Sequence, residues 1–186
     1  MNSRAFLEAL HGRVQALHTT VSTDFAPLEA ALLNVKPSPT SWSILECLEH
    51  LNRYARYYLP QLAKALAQPA GPAPTDFSHS WLGRKSIEAV RPENQKKQKT
   101  LARMNPNQSQ LSPATIAEFL AHQQQLLALL AQAKTTDLSR KAIPVEFFRL
   151  LKLSIGDALE FVVAHQERHV LQAERVRQQL HLELRV

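Results

Sequence analysis

A single cysteine, Cys47, is present among the 186 residues, which excludes an internal disulfide and any zinc finger built on thiolates. Glycine is scarce, with 4 in the chain, and aromatics make up 6%. That leaves little material for a turn-rich β fold or for the stacking platforms of single-strand nucleic-acid binders. No run approaches the roughly eighteen consecutive apolar residues of a membrane span. The opening residues, Met-Asn-Ser-Arg-Ala-Phe-Leu-Glu, lack the apolar core of a signal peptide. With one thiol and no leader pattern, the expected location is a reducing cytoplasm.

What is present suits a helical protein: 45% hydrophobic and 20% charged residues, in a chain long enough for one domain over residues 1–186 with a sizeable core. The net charge of +6 raises nucleic acid as a partner. The basic residues are scattered, however, and the densest patch, Lys96, Lys97, Lys99 and Arg103, has no interleaved aromatics. It reads as a solvated face. No recognition helix appears, so nucleic acid is not an expected partner.

Apolar spacings of three and four predict four long helices. The first runs from Ser3 to about Val35 along Phe6, Leu10, Val14, Leu17, Val21, Leu28 and Leu32, with a kink or break expected near Asp24 to Pro27. Ser43 followed by Glu46 forms a capping box that starts the second helix, with Trp42 before it placed to pack on Cys47. Its stripe is Ile44, Leu48, Leu51, Ala55, Tyr58, Leu62 and Leu66, and Pro69 closes it. Residues 69–111 are irregular, broken by Pro69, Pro72, Pro74, Pro92 and Pro106, with a short helical turn expected at Ser86 to Val90. So long a connection is commonly functional, and here it is placed to cover an opening of the bundle. The third helix starts at Ser112-Pro113 with Ile116, Phe119, Leu120, Leu127 and Leu130 on its apolar side. The fourth follows Ser154-Ile-Gly-Asp157 and runs to about Leu180. Strand signals are nearly absent. The expected fold is all-α, a four-helix bundle with its long connection between helices 2 and 3.

The chemistry concentrates in histidine. His165 and His169 are four apart, on the core-facing line of the fourth helix with Ala158, Val162, Gln172 and Val176. Burying two imidazoles without partners costs several kcal/mol. A divalent metal would satisfy both. His50 lies within Trp42-Ser-Ile-Leu-Glu46-Cys-Leu-Glu-His50-Leu and would be a third ligand if the second and fourth helices touch. His11, His18, His79, His122 and His181 read as hydrogen-bonded or surface side chains.

Glu46, one turn before His50, could orient an imidazole, though the capping box gives it an ordinary role. Gln172 could hydrogen-bond a ligand or a water, and Tyr54 could present a phenol beside the metal or simply pack. Arg168 falls off the stripe and is expected at solvent or an interface. Cys47 reads as a small core residue rather than a nucleophile. A di-iron carboxylate site is excluded, because no Glu-x-x-His pair occurs at either candidate position.

The motif Trp-Ser-x-x-Glu-x-x-x-His-Leu at 42–51, together with His-x-x-x-His-x-x-Gln at 165–172, resembles the DinB-like superfamily of bacterial four-helix bundles. The resemblance extends to helix order and the long connection, and so covers nearly the whole chain. It implies a histidine of the second helix and two of the fourth as ligands of a divalent metal, often nickel or zinc, and three imidazoles suit iron as well. On this sequence those are His50, His165 and His169. Members include transferases using low-molecular-weight bacterial thiols and metal-dependent hydrolases. The resemblance therefore implies a small-molecule substrate, with a thiol as one candidate, and a metal that activates water or thiol. The alternative is a non-catalytic bundle whose metal or histidine cluster is structural and which works by protein association. Apolar surface on the first and third helices is compatible with a homodimer.

Overall fold

The computed structural model describes residues 1–69, 73–94, 96, 100–107, 109–146 and 148–183. Pro72, Lys97 and Lys99 lie outside the described residues, as does the side chain of His181. Helix α1 spans Ser3–Thr20 and is capped by Asn2, whose side chain accepts from the Ala5 amide. The expected break follows as a widened π turn, Val21–Phe25, in which the Ala26 amide reaches back to the Val21 carbonyl. A short α2, Ala30–Leu33, comes after it. Helix α3, Ile44–Leu66, carries the capping box in full: Ser43 Oγ accepts from the Glu46 amide at 3.1 Å and Glu46 Oε2 from the Ser43 amide at 2.9 Å.

Two elements correct the sequence reading. The turn expected at Ser86 to Val90 is a ten-residue helix α4, Trp81–Val90, capped by Ser80. Only Gly83 and Ile87 of it are fully buried, so its apolar stripe is too thin to announce a helix, and Gly83 lowers the local propensity further. The all-helical expectation also gives way to a two-stranded antiparallel hairpin, β1 Lys141–Val145 and β2 Phe148–Ser154. Pro144 sits in β1, register shifts break the pairing, and Phe148, Leu150 and Leu151 face out. The period-two signal is thus confined to Ile143, Val145 and Leu153, which are buried. A hairpin alone is marginal in water. This one is held by packing on α3 and on the helix that follows it, α6, Ile155–Glu183.

Helix α5, Ala114–Ala133, follows Pro113, and Ser112 Oγ accepts from the Ala114 amide at 3.3 Å. Its buried face uses Leu126 and Leu129 where the sequence pattern suggested Leu127. Helix α6, Ile155–Glu183, begins with Ser154 Oγ accepting from the Asp157 amide.

The long helices α1, α3, α5 and α6 make a mostly helical body. Helix α3 packs chiefly on α6 and α5, and α1 packs chiefly on the same two, so α1 and α3 occupy opposite corners. Two apolar clusters fill the interior. One contains Ala55 to Ala65 of α3 and reaches Val163 on α6. The other contains Ile44 to Leu51 and resumes on α6 at Val170. On α6 the interval between them holds His165 and His169, and His50 lies on α3 at the edge of the second cluster, between Leu48 and Leu51. The histidines therefore gather where the two cores meet.

Candidate metal centre

His50 comes from α3, and His165 and His169 come from successive turns of α6. The extensive α3–α6 contact supplies the adjacency that spacing alone left open. One ring nitrogen from each residue falls within 4.8 Å of the others, and His50 Nε2 is 3.2 Å from His165 Nε2.

The outer nitrogens decide which face is free. His50 Nδ1 is 2.7 Å from the Met104 carbonyl. A carbonyl only accepts, so Nδ1 carries the hydrogen and Nε2 keeps a bare lone pair. His169 Nδ1 is 2.8 Å from Gln172 Oε1, which fixes the same tautomer there. This is the orienting arrangement usual around metal-bound imidazoles. His165 Nε2 can donate to His50 Nε2, and its neutral ring can move that hydrogen to Nδ1 when a ligand needs the lone pair.

Burial keeps all three rings neutral near pH 7. It lowers the pKa of His50 to about 4, with Arg53 adding to the effect. His169 falls to about 3 through burial and then its neighbour His50. His165 is held well below its ordinary value by burial and the other two rings. The donor set fits a divalent cation: two nitrogens each about 2.0–2.1 Å from one metal lie roughly 3.0–3.4 Å apart, which matches the closest pair. Any of nickel, zinc or iron accepts such ligands.

The rings line a cavity of about 540 Å³ together with Trp42, Tyr54, Arg168, Gln172 and Arg175. No carboxylate lines it among the described residues, so a bound dication would keep its full charge. Trp42 lies 4.8 Å from the His50 ring and 5.6 Å from that of His169. Tyr54 stands 4.4 Å from His165, and its phenol is pushed up to about 12 by burial and by Glu146. It is a neutral hydrogen-bond donor at neutral pH.

Several sequence readings change. Glu46 orients no imidazole, because its carboxylate meets the Ser43 amide and Lys36 Nζ. Gln172 does meet His169. Arg168 is not simply solvated: its guanidinium donates to the carbonyls of Arg91, Asn94 and Lys96, drawing the long connection over the site. Cys47 is fully buried, its thiol pushed up by burial and then by Glu46. Arg103 of the basic run pairs with Glu146.

A second polar cluster was missed. Asp157, read only as a capping signal, is fully buried and accepts from His79 Nδ1 at 2.8 Å and Ser80 Oγ at 2.7 Å. His79 Nε2 meets Glu160 at 2.9 Å, and Glu160 also faces Arg91 and Arg13. The two carboxylates raise His79 to about 9, so this ring is an imidazolium that ties α4 to α6. Nothing local in the sequence marks it, since His79 and Asp157 are 78 residues apart.

With this geometry in place, similarity to known proteins becomes interpretable. The family model of the DinB superfamily matches residues 5–173. The chain belongs to the DinB superfamily. It is 26% identical over 149 residues, 80% of its length and 85% of the other protein, to the uncharacterized protein YuaE of Bacillus subtilis strain 168. In fold it is similar to YfiT from Bacillus subtilis, described as a probable metal-dependent hydrolase with an unusual four-helix bundle topology. That likeness has a TM-score of 0.60 at 12% identity, covering 94% of this chain and 87% of that one. Among the described residues, no helix of this DinB protein is long and apolar enough to cross a membrane.

Proposed function

We propose that this DinB protein is a metal-dependent enzyme acting on a small molecule, with His50, His165 and His169 as the ligands of one divalent cation. The observation that carries the reading is the commitment of His50 Nδ1 to Met104 O and His169 Nδ1 to Gln172 Oε1. Each leaves an Nε2 with a bare lone pair, in a cluster where one ring nitrogen of each histidine lies within 4.8 Å of the others beside a cavity that all three line. A structural cation needs no cavity. A reactive one does.

When bound, the metal supplies Lewis acidity, which lowers the pKa of a coordinated water or thiol toward neutrality. The chain's own residues supply the rest. Trp42 and Tyr54 exclude bulk water from one side of the centre. The Tyr54 phenol, neutral at working pH, can donate a hydrogen bond to substrate. Arg175, exposed among the lining residues, attracts an anionic group. Hydrolysis and transfer to a low-molecular-weight thiol share this apparatus and differ in the nucleophile admitted. The YfiT likeness in fold favours the first as the starting assay.

A second reading, a structural metal in a non-catalytic bundle, is favoured by the position of His165 and His169 between the two apolar clusters, with His50 at the edge of one of them. Metal analysis of the purified protein and of His165→Ala, with folding followed during chelation, separates the two. The enzyme reading expects about one equivalent in the wild type, loss in the variant, and a fold that survives chelation. Unfolding on chelation would support the structural reading. Absence of metal from the reconstituted wild type would remove both.

A further inference from the structure

A second cavity, of about 360 Å³, lies beside the first and shares Tyr54, Ala89 and Val90 with it. Its walls are mostly apolar and aromatic, including Tyr58, Phe161, Val145 and Leu153. The acidic residue in this lining is Glu146. Glu146 is 2% exposed, and its Oε2 has no hydrogen-bond partner among the described residues. Its other oxygen and its carbonyl both accept from Arg103.

A buried carboxylate oxygen without a donor is costly. A chain that keeps one against aromatic faces offers the two elements by which proteins hold organic ammonium groups, a counter-charge and π surfaces. Lys85 also lines the cavity, but its ammonium pairs with Glu88 at 2.9 Å, and both side chains are more than half exposed. It contributes its aliphatic stem to the wall and leaves Glu146 Oε2 without a donor.

We propose that this second cavity binds an amine with an aryl or branched-alkyl body, its ammonium donating to Glu146 Oε2 and its apolar part lying between Tyr54, Tyr58 and Phe161. The binding stands apart from the metal reading. Only its use as a substrate pocket, with the bound molecule extending past Tyr54 toward the histidines, rests on that reading.

The probes are phenethylamine, its neutral analogue 2-phenylethanol, and the anion 3-phenylpropionate, titrated calorimetrically into the full chain at pH 7 with chelator present. Chelation keeps the outcome independent of any metal. Phenethylamine is expected to bind at least about tenfold more tightly than the alcohol, and the anion least. Glu146→Gln, which retains an acceptor for Arg103, is expected to erase the preference for the amine over the alcohol. Ser86→Phe, which fills the cavity from α4 and leaves the Glu146–Arg103 pair intact, is expected to abolish binding of both, and it decides the matter if Glu146→Gln does not fold. Equal affinity for amine and anion, a preference unchanged in folded Glu146→Gln, or full binding by Ser86→Phe would each overturn the proposal. Loss of the three-histidine reading with amine binding intact would leave it standing.

Discussion

His50 Nε2 lies 3.2 Å from His165 Nε2 across 115 residues of chain, with a carbonyl from a third segment fixing the first ring from behind. Two neutral imidazoles held nose to nose leave one hydrogen between them, and under the proposed metal reading a cation that displaces it would gain two ligands already in place. Such a ligand set would be preorganised, with little ordering left for the moment of binding.

The second partner tests this directly. Gln172→Ala removes the acceptor for His169 Nδ1 without touching any ligand nitrogen. Metal affinity is expected to fall about 10–100-fold, read by competition with a chromophoric chelator, while the far-ultraviolet spectrum stays that of the wild type. An unchanged affinity would mean that His169 is oriented by its packing on Trp42 alone.

Stability should be limited on both sides of neutrality. The raised pKa of His79, about 9, stabilises the fold fully below its unfolded value near 6.5, and that contribution is lost as pH rises through about 9. In Asp157, burial works to raise the pKa and the hydrogen bonds from His79, Ser80 and Ser154 outweigh it. Glu160 is lowered first by His79. Both carboxylates therefore stabilise above about pH 4 and lose that effect on acidification. The three lowered histidines act earlier: below about pH 6.5 the unfolded chain binds protons that the folded metal-free chain does not. Urea titrations in chelator are expected to show a maximum near pH 6.5, with stability falling on the acid side through the three lowered histidines and on the alkaline side, up to about pH 9, through His79. His79→Gln should lower the maximum by on the order of 2 kcal/mol and flatten the alkaline limb. An alkaline limb unchanged in that variant would count against the ion cluster.

Glycine serves contact in one place and nothing visible in another. A Cβ on Gly83 would meet Asp157 Cγ at 2.0 Å, whereas one on Gly12 would meet nothing within 4 Å. Gly83→Ala is expected to cost about 2 kcal/mol by overpacking and to lower Tm by roughly 4–8 °C. Gly12→Ala, in the middle of α1, should raise stability by about 0.5–1 kcal/mol. Thermal melts of the two variants side by side check both. Equal effects would show that α4 does not approach α6 this closely.

Much of the centre was legible because helix periodicity is a strong local signal. Val162, His165, His169 and Val176 share one stripe, so a core-facing pair could be read from spacing. The Ser43–Glu46 box and the Ser154–Asp157 start are local as well, and both stand in the structure. The placement of His50 beside the pair needed the family resemblance, since helix adjacency is not written in either helix. The remainder depended on contacts distant in sequence. Met104 reaches His50 through a backbone carbonyl, which any residue type provides. Asp157 serves a cap and an ion cluster with the same carboxylate. The hairpin hid behind Pro144 and outward-facing leucines.

Gln123 is an interior residue that works against the fold. It is 0% exposed, and both its side-chain Oε1 and Nε2 lack partners among the described residues. Gln123→Met keeps the length and removes both unpaired groups, and it is expected to stabilise by about 1–2 kcal/mol in urea denaturation. Destabilisation instead would show that the amide makes bonds through buried water.

Tyr54 forms part of the wall of both cavities. The partition between the histidine-lined cavity and the aromatic one beside it is therefore a feature that one codon can rewrite. A smaller residue there would join the two volumes and lengthen the molecule accepted, with every imidazole left in place. A bulkier or more polar one would shorten it. On such a scaffold, what is recognised can drift by single substitutions while what is done to it stays constant, and a broad range of substrates could descend from one arrangement of histidines.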